Sequence, residues 1–318
     1  PRDGECELQS LVEKLGVTDI HYPIYYRGYE AEHDDPFFDR DYNLCVICGR
    51  CVRACQEVRL NGTLAFHNRG AETRVGTALG LSHLEAGCEF CGACVDVCPT
   101  GALYDKRTKW EGVPELAATT LCPYCSVGCA QIVMVDDKGK IIDIQGNPDS
   151  PINEGTLCPK GIAGLQGLYD PDRIRTPLKR IGKRGEGQWQ PISWDEAIQT
   201  VVRSLKDLRK EGSPHQLVVL GGRYRGLMRS LWERFLEAYG SPNYVDNQFQ
   251  WEGPLSEGLF LTKGIYGPPA YDFEKASYIL SFGSGLLESY WSPVQALKAY
   301  GYFRRGKPGQ RGKLIHIA

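Results

Sequence analysis

The chain has 318 residues, enough for two or three domains. Its 37 Lys and Arg nearly balance 39 Asp and Glu, a formal net charge of −2, which gives no reason to expect nucleic acid or an anionic membrane as a partner. No apolar run approaches the ~20 residues a membrane-spanning helix needs, so direct membrane insertion is not expected.

Residues 1–40 read as a linking segment. Leu8, Leu11, Val12 and Leu15 sit at helical spacing and predict one short amphipathic helix. The aromatic, proline-broken stretch His21-Tyr22-Pro23-Ile24-Tyr25-Tyr26 predicts irregular packing.

Residues 41–110 carry two cysteine runs: Cys45, Cys48, Cys51, Cys55 and then Cys88, Cys91, Cys94, Cys98, with Pro99 next. Each is C-x2-C-x2-C-x3-C, the run of two-cluster bacterial ferredoxins, in which the fourth cysteine of one run ligates the other cluster. On that pattern Cys45, Cys48, Cys51 and Cys98 hold one 4Fe–4S cluster, and Cys88, Cys91, Cys94 and Cys55 the other. Structural zinc prefers two CxxC pairs separated by a finger or ribbon. Disulfides between cysteines three apart would be strained. Between the runs, Thr63 to Phe66 and Thr73 to Val75 are strand candidates. Thiolate-held clusters are assembled on reduced cysteines, and a cytoplasmic setting is the simplest one, with membrane association only through partner subunits.

Residues 111–178 hold a third cysteine group, Cys122, Cys125 and Cys129, with Cys158 far downstream. Gln131–Val135 and Lys140–Gln145 predict a hairpin turned at Asp136-Asp137-Lys138-Gly139.

From 179 to 318 helices and strands alternate. Ser193 and Glu196 form a capping box opening a helix with Ala197, Ile198, Val201, Val202, Leu205 and Leu208 on one face. Leu217–Leu220 predicts a buried strand ending at Gly221-Gly222-Arg223. A helix through Leu227, Met228, Leu231, Trp232, Phe235 and Leu236 follows, closing at Gly240. Tyr278–Phe282 is a second strand, ending at Gly283-Ser284-Gly285, and Leu314–Ile317 a third. The alternation predicts a parallel, doubly wound α/β sheet. The chain starts at Pro1 and stops after a strand, so further sequence is expected at both ends. The fold class predicted is thus α+β iron–sulfur modules followed by a truncated α/β domain.

Cys122-Pro123-Tyr124-Cys125-Ser126-Val127-Gly128-Cys129 and Cys158-Pro159-Lys160-Gly161 resemble the N-terminal domain of molybdopterin oxidoreductases. With the double ferredoxin module upstream, the layout resembles the catalytic chain of complex-I-like formate dehydrogenases. The resemblance implies a third 4Fe–4S cluster on Cys122, Cys125, Cys129 and Cys158. It implies a Mo or W bis(molybdopterin guanine dinucleotide) cofactor in the α/β domain, formate or another small substrate, and redox partner subunits that are flavin- or NAD-linked or themselves iron–sulfur proteins. Lys160 matches the lysine that lies between cluster and pterin in the family, which makes it a catalytic and cofactor-contacting candidate. Strand-end glycines let backbone approach phosphates, so Gly221, Gly222, Gly283 and Gly285 become candidate dinucleotide contacts, with Arg223 as a phosphate partner. Gly4-Glu5-Cys6-Glu7 resembles the end of a His/Cys cluster motif whose other ligands would lie upstream.

One departure is at the metal. The family's formate dehydrogenases present a cysteine or selenocysteine there, and no cysteine follows Cys158. The matching stretch around Trp251-Glu252-Gly253-Pro254 offers Glu252, or Ser256, or no protein ligand. Two alternatives stay open: an electron-relay subunit with a vestigial α/β domain, as in complex I, and a polysulfide- or thiosulfate-type reductase, which Gly240-Ser241-Pro242-Asn243 also resembles.

Overall fold

The computed structural model describes residues 6–222, 226–246, 253–267, 269–288 and 292–317. It divides into two compact units, 1–168 with 272–318, and 169–271.

In the first unit, helix α1 (Glu7–Lys14) forms where the leucine spacing predicts it, yet Leu8, Leu11 and Leu15 lie exposed. The ferredoxin module begins earlier than residue 41. Strand β1 (Phe38–Arg40) pairs antiparallel with β4 (Leu103–Asp105), so the ends of the module are zipped together. Between them lie two matching halves. In the first, α2 (Arg50–Arg53) runs into a π-turn over Ala54–Val58. In the second, α3 (Ala93–Asp96) is a single turn. A hairpin of β2 (Leu64–His67) and β3 (Arg74–Thr77) separates them, on the residues whose β-rich composition predicts it.

The halves repeat a backbone device. Gly49 and Gly92 start α2 and α3 in the left-handed region, at φ +74° and +82°. Both also face close neighbours: a Cβ would stand 2.9 Å from the Phe66 ring at Gly49 and 2.5 Å from Ile162 at Gly92. Two residues before each glycine, Ile47 (φ +55°) and Phe90 (φ +48°) also lie there. For a β-branched or bulky residue that is strained, at about 1–3 kcal/mol each.

The third cysteine group sits on a three-stranded antiparallel sheet, β5 (Leu116–Leu121), β6 (Ala130–Val135) and β7 (Ile141–Gly146), ordered β5-β6-β7. The β6–β7 hairpin is legible in the sequence; β5, a mostly exposed run of Ala and Thr, is not. Short helices α4 (Pro159–Ile162) and α5 (Gly164–Leu168) follow. One apolar core runs through both iron–sulfur modules, from Phe38, Val52, Leu64 and Phe90 to Leu157 and Ile162.

In the second unit, the hairpin β8 (Leu178–Arg180) and β9 (Trp189–Pro191) precedes α6 (Trp194–Lys210), capped by Ser193 Oγ accepting from the Glu196 amide at 3.1 Å. Strand β10 (Val219–Gly221) pairs parallel with β11 (Tyr244–Asp246) around α7 (Leu227–Tyr239), which ends at Gly240 with φ +97°. Helix α8 (Gly253–Lys263) follows. The expected burial is not reached here: Leu220 is 77% exposed, and α6 buries no residue. Parallel pairing is as expected, but it comes as two separate two-stranded sheets. The second, β12 (Tyr278–Phe282) with β13 (Lys313–Ile317), belongs to the first unit with its crossover helix α9 (Pro293–Arg305). No helix among the described residues is long and apolar enough to cross a membrane.

A single side chain fastens the Cys158 loop to the sheet. Asn153 is buried, accepts from the Ala130 amide at 2.9 Å, and donates to the carbonyls of Ala130 and Thr156 at 3.0 Å each. Asn153→Ala removes the partner of the Ala130 amide and of the Thr156 carbonyl, while the Ala130 carbonyl keeps the Asn147 amide, and each unmatched buried group costs ~1–3 kcal/mol. Thermal unfolding followed by circular dichroism should begin at lower temperature in Asn153→Ala; an unchanged transition would contradict this role.

Candidate metal centres

The fold gathers the eight ferredoxin cysteines into two sets, each drawing three from one run and the fourth from the other. Cys45, Cys48, Cys51 and Cys98 line one cavity of about 360 Å³, measured out to its mouth, with Tyr42, Val75, Pro99 and Leu103. Cys55, Cys88, Cys91 and Cys94 line another of about 370 Å³, with Phe38, Leu64, Arg59 and His83. The exchange follows from the paired halves: the turn after each short helix carries its fourth cysteine across to the facing half.

The electrostatics show the same grouping. Burial pushes the Cys51 thiol up to about 12, and Cys98 is the neighbouring charge that raises it most. Burial takes Cys88 to about 12 and Cys91 to about 11, with Cys55 adding to both. Buried thiols of this kind stay protonated unless a positive centre draws the protons off. The strained Ile47 and Phe90 direct their amides at sulfur. Ile47 N–H donates to Cys45 Sγ at 3.4 Å and Phe90 N–H to Cys88 Sγ at 3.3 Å, while Leu103 N–H donates to Cys98 Sγ at 3.5 Å. These contacts suit an anionic, sulfur-rich group.

In the third group, Cys122 and Cys129 flank the β5–β6 turn, and the Cys122 amide donates to the Cys129 carbonyl at 2.9 Å. Cys158 caps α4. Burial pushes Cys129 up to about 12, with Cys122, Cys125 and Cys158 adding to it. Cys125 is exposed. Lys160 is exposed on α4, and its charge opposes the burial that raises Cys122. The third and second groups touch through backbone: the Leu157 amide donates to the Cys91 carbonyl at 3.0 Å. All thirteen cysteines are free thiols. Among the described residues no group of three or more His, Cys, Asp or Glu is arranged to hold a single metal ion.

Cys6 is buried beside the first cavity, where the Glu7 amide donates to the Pro99 carbonyl at 2.9 Å and Glu7 pairs with Arg50 at 2.7 Å. Two buried residues carry no signal in the sequence. Buried His83 contacts Asp35 through Nδ1, and its own amide donates to Asp35 Oδ1 at 3.0 Å. Burial raises the Asp35 carboxyl, but His83 and then Arg40 outweigh it and hold the group below its ordinary value. Arg59, the second, belongs to no motif.

The strand-end glycines are partly explained without a ligand. At Gly221 a side chain would collide with the Tyr244 ring on the paired strand. The Gly283 amide is engaged, donating to the Ile317 carbonyl at 2.7 Å. Gly222 and Gly285 follow their strands as expected. Arg223, Trp251 and Glu252 lie outside the described residues. The stretch Gly240-Ser241-Pro242-Asn243 braces the strand beside it. Ser241 Oγ donates to the Leu217 carbonyl at 2.6 Å and accepts from the Asn243 amide at 3.2 Å.

The crossed cavities give a specific expectation. Cys98→Ser should perturb the cluster signal belonging to Cys45, Cys48 and Cys51, followed by paramagnetic resonance after reduction. Damage confined to the signal of Cys88, Cys91 and Cys94 would contradict it.

Comparison with known proteins gives the same order of parts. A family model for the ferredoxin-like domain of NADH-quinone oxidoreductase subunit 3 matches residues 35–104. The molybdopterin oxidoreductase Fe4S4 domain matches 117–170, and the molybdopterin oxidoreductase domain 173–306. A Staphylococcus haemolyticus protein named "Putative formate dehydrogenase" is 25% identical over 91% of this chain and 33% of its own length. One of the same name from Staphylococcus aureus is 26% identical over 99% of this chain and 35% of its own. The chain thus spans about a third of the length of these relatives. The acetylene hydratase of Pelobacter acetylenicus, a solved structure, is 26% identical, covering 63% of this chain and 27% of that one with a TM-score of 0.45. With its cysteine groups in the matched domains, the chain belongs to the molybdopterin oxidoreductases and carries in front the ferredoxin-like domain of NADH-quinone oxidoreductase subunit 3.

Proposed function

We propose that this chain is the electron-carrying front and the opening of the cofactor domain of a formate dehydrogenase-like enzyme. It would move electrons between a Mo or W bis(molybdopterin guanine dinucleotide) site and a flavin- or NAD-linked partner subunit. The observation that carries the reading is the pair of four-cysteine cavities joined through one core to the third cysteine group. Cys45, Cys48, Cys51 and Cys98 would hold one 4Fe–4S cluster, Cys55, Cys88, Cys91 and Cys94 a second, and Cys122, Cys125, Cys129 and Cys158 a third. When bound, such clusters exchange single electrons, whereas the pterin-held metal exchanges pairs.

The chain's own residues orient and tune these groups. The amides of Ile47, Phe90 and Leu103 hold sulfur in place. The Leu157–Cys91 hydrogen bond keeps the second and third sites adjacent. For the pterin, Lys160 fits best, as a cation beside the third cysteine group on an exposed face. Gly221, Gly222, Gly283 and Gly285 follow strands and stand as the candidate dinucleotide contacts. Formate as substrate is supported by the names of the two staphylococcal relatives. The absence of any cysteine after Cys158 favours a second reading, a relay whose cofactor domain has lost catalysis.

Metal analysis of the purified protein separates the two. Iron together with Mo or W supports the enzyme, and iron alone the relay. Lys160→Met keeps most of the volume and removes the charge. In the enzyme it should leave iron content intact, lower the potential of the third cluster and slow electron transfer from the pterin site, since a nearby cation favours added negative charge. Unchanged potential and turnover would leave Lys160 without this role.

A further inference from the structure

Arg59 is among the most deeply buried cations of the first unit. Its side chain is 1% exposed and lines the second cavity beside Cys55, Cys88, Cys91 and Cys94. Three contacts fix the guanidinium. Nε donates to Glu89 Oε2 at 2.6 Å, and Nη1 to the Val294 carbonyl at 3.0 Å and to Thr156 Oγ1 at 3.4 Å. Nη2 is fully buried and has no hydrogen-bond partner among the described residues. A buried N–H left unmatched costs ~1–3 kcal/mol and more on a charged group, so such a donor calls for an acceptor.

The cavity supplies the place for one. The charge of Arg59 already reaches Cys91, where it opposes the effect of burial. The first cavity differs: among the described residues no Arg, Lys, Asp or Glu lines it. Arg27 and Arg50 act on its cysteines only from the surface, where water screens them.

We propose that Arg59 Nη2 donates a charge-assisted hydrogen bond to the cluster of the second cavity and makes that cluster the more easily reduced of the two in the ferredoxin module. The inference rests on the proposed loading of the cavities with 4Fe–4S clusters. Reduction adds one electron and one negative charge to the cluster, and no proton need move. A hydrogen bond to sulfur strengthens as that charge grows, and such bonds are among the factors that set cluster potentials. Glu89 offsets part of the guanidinium charge at Nε but leaves the Nη2 donor unmatched. Arg59 is therefore a positioning and tuning residue, and the first electron entering the module settles on the second-cavity cluster, which the Leu157–Cys91 hydrogen bond ties to the third cysteine group.

The test uses anaerobically purified protein, reduced with dithionite through mediator dyes while paramagnetic resonance is recorded. Cys48→Ser, which alters a thiolate of the first cavity only, assigns the signals. In the unaltered protein the second-cavity cluster should be reduced first. Arg59→Met should make it about tenfold harder to reduce, about 59 mV for a one-electron couple, and leave the first-cavity midpoint in place. Thr156→Ala removes another partner of Arg59 and leaves Nη2 alone, so both midpoints should stand. If Arg59→Met does not retain its clusters, Arg59→Lys is measured instead. Its single nitrogen keeps the charge but cannot serve all the sites, and the same midpoint should fall by less. An unchanged second-cavity midpoint in the Arg59 variant, or an equal fall in Thr156→Ala, overturns the inference. Absence of iron and sulfide from the unaltered protein would instead sink the reading of the cysteines as cluster ligands.

Discussion

The buried guanidinium of Arg59 is the joint on which the first unit is assembled. It ties Glu89, set between two cysteines of the second run, to Thr156, two residues ahead of Cys158, and to the first turn of α9. Burying a charge costs several kcal/mol unless its hydrogen bonds are made, and breaking a buried pair from one side is more damaging than never having it. The site around Arg59 is accordingly dense. A Cβ at Gly301 of α9 would stand 2.5 Å from the Leu60 carbonyl oxygen, so helix and loop approach too closely for any side chain there. The β12–β13 pair is thereby anchored to the iron–sulfur core, although more than a hundred residues separate it in sequence from the third cysteine group.

The cavities show a second constraint, between burial and charge. Thiols pushed up to about 11 or 12 are poor anions alone. Strained backbone at Ile47 and Phe90 costs further free energy. Both costs make sense where a strongly bound group must find its ligands and amide donors already placed. The apolar lining by Phe38, Leu64, Val75 and Leu103 lowers the local dielectric around the inner sulfurs and makes nearby dipoles count for more.

Much of this is legible in the sequence because cysteine spacing is a local code. The runs at 45–55 and 88–98 and the third group at 122–158 can be grouped from spacing, and the capping box at Ser193 places α6. What stays hidden depends on distant partners. Arg59 bonds residues 97 and 235 positions away, and nothing in its neighbourhood announces that. Strands β1 and β4 are three residues each and pair across the whole module. Strand β5 lacks alternation, and α9 goes unmarked between two strands. At Gly221 and Gly283 the strand-end pattern points to phosphate, while packing against Tyr244 and pairing with Ile317 already account for the two glycines.

The claim beneath all of this is that three separate cysteine sites each hold a four-iron cluster. Iron and acid-labile sulfide in anaerobically purified protein test it most directly. Three sites of four predict about twelve of each per chain. About eight of each, or zinc in place of iron, would contradict the account.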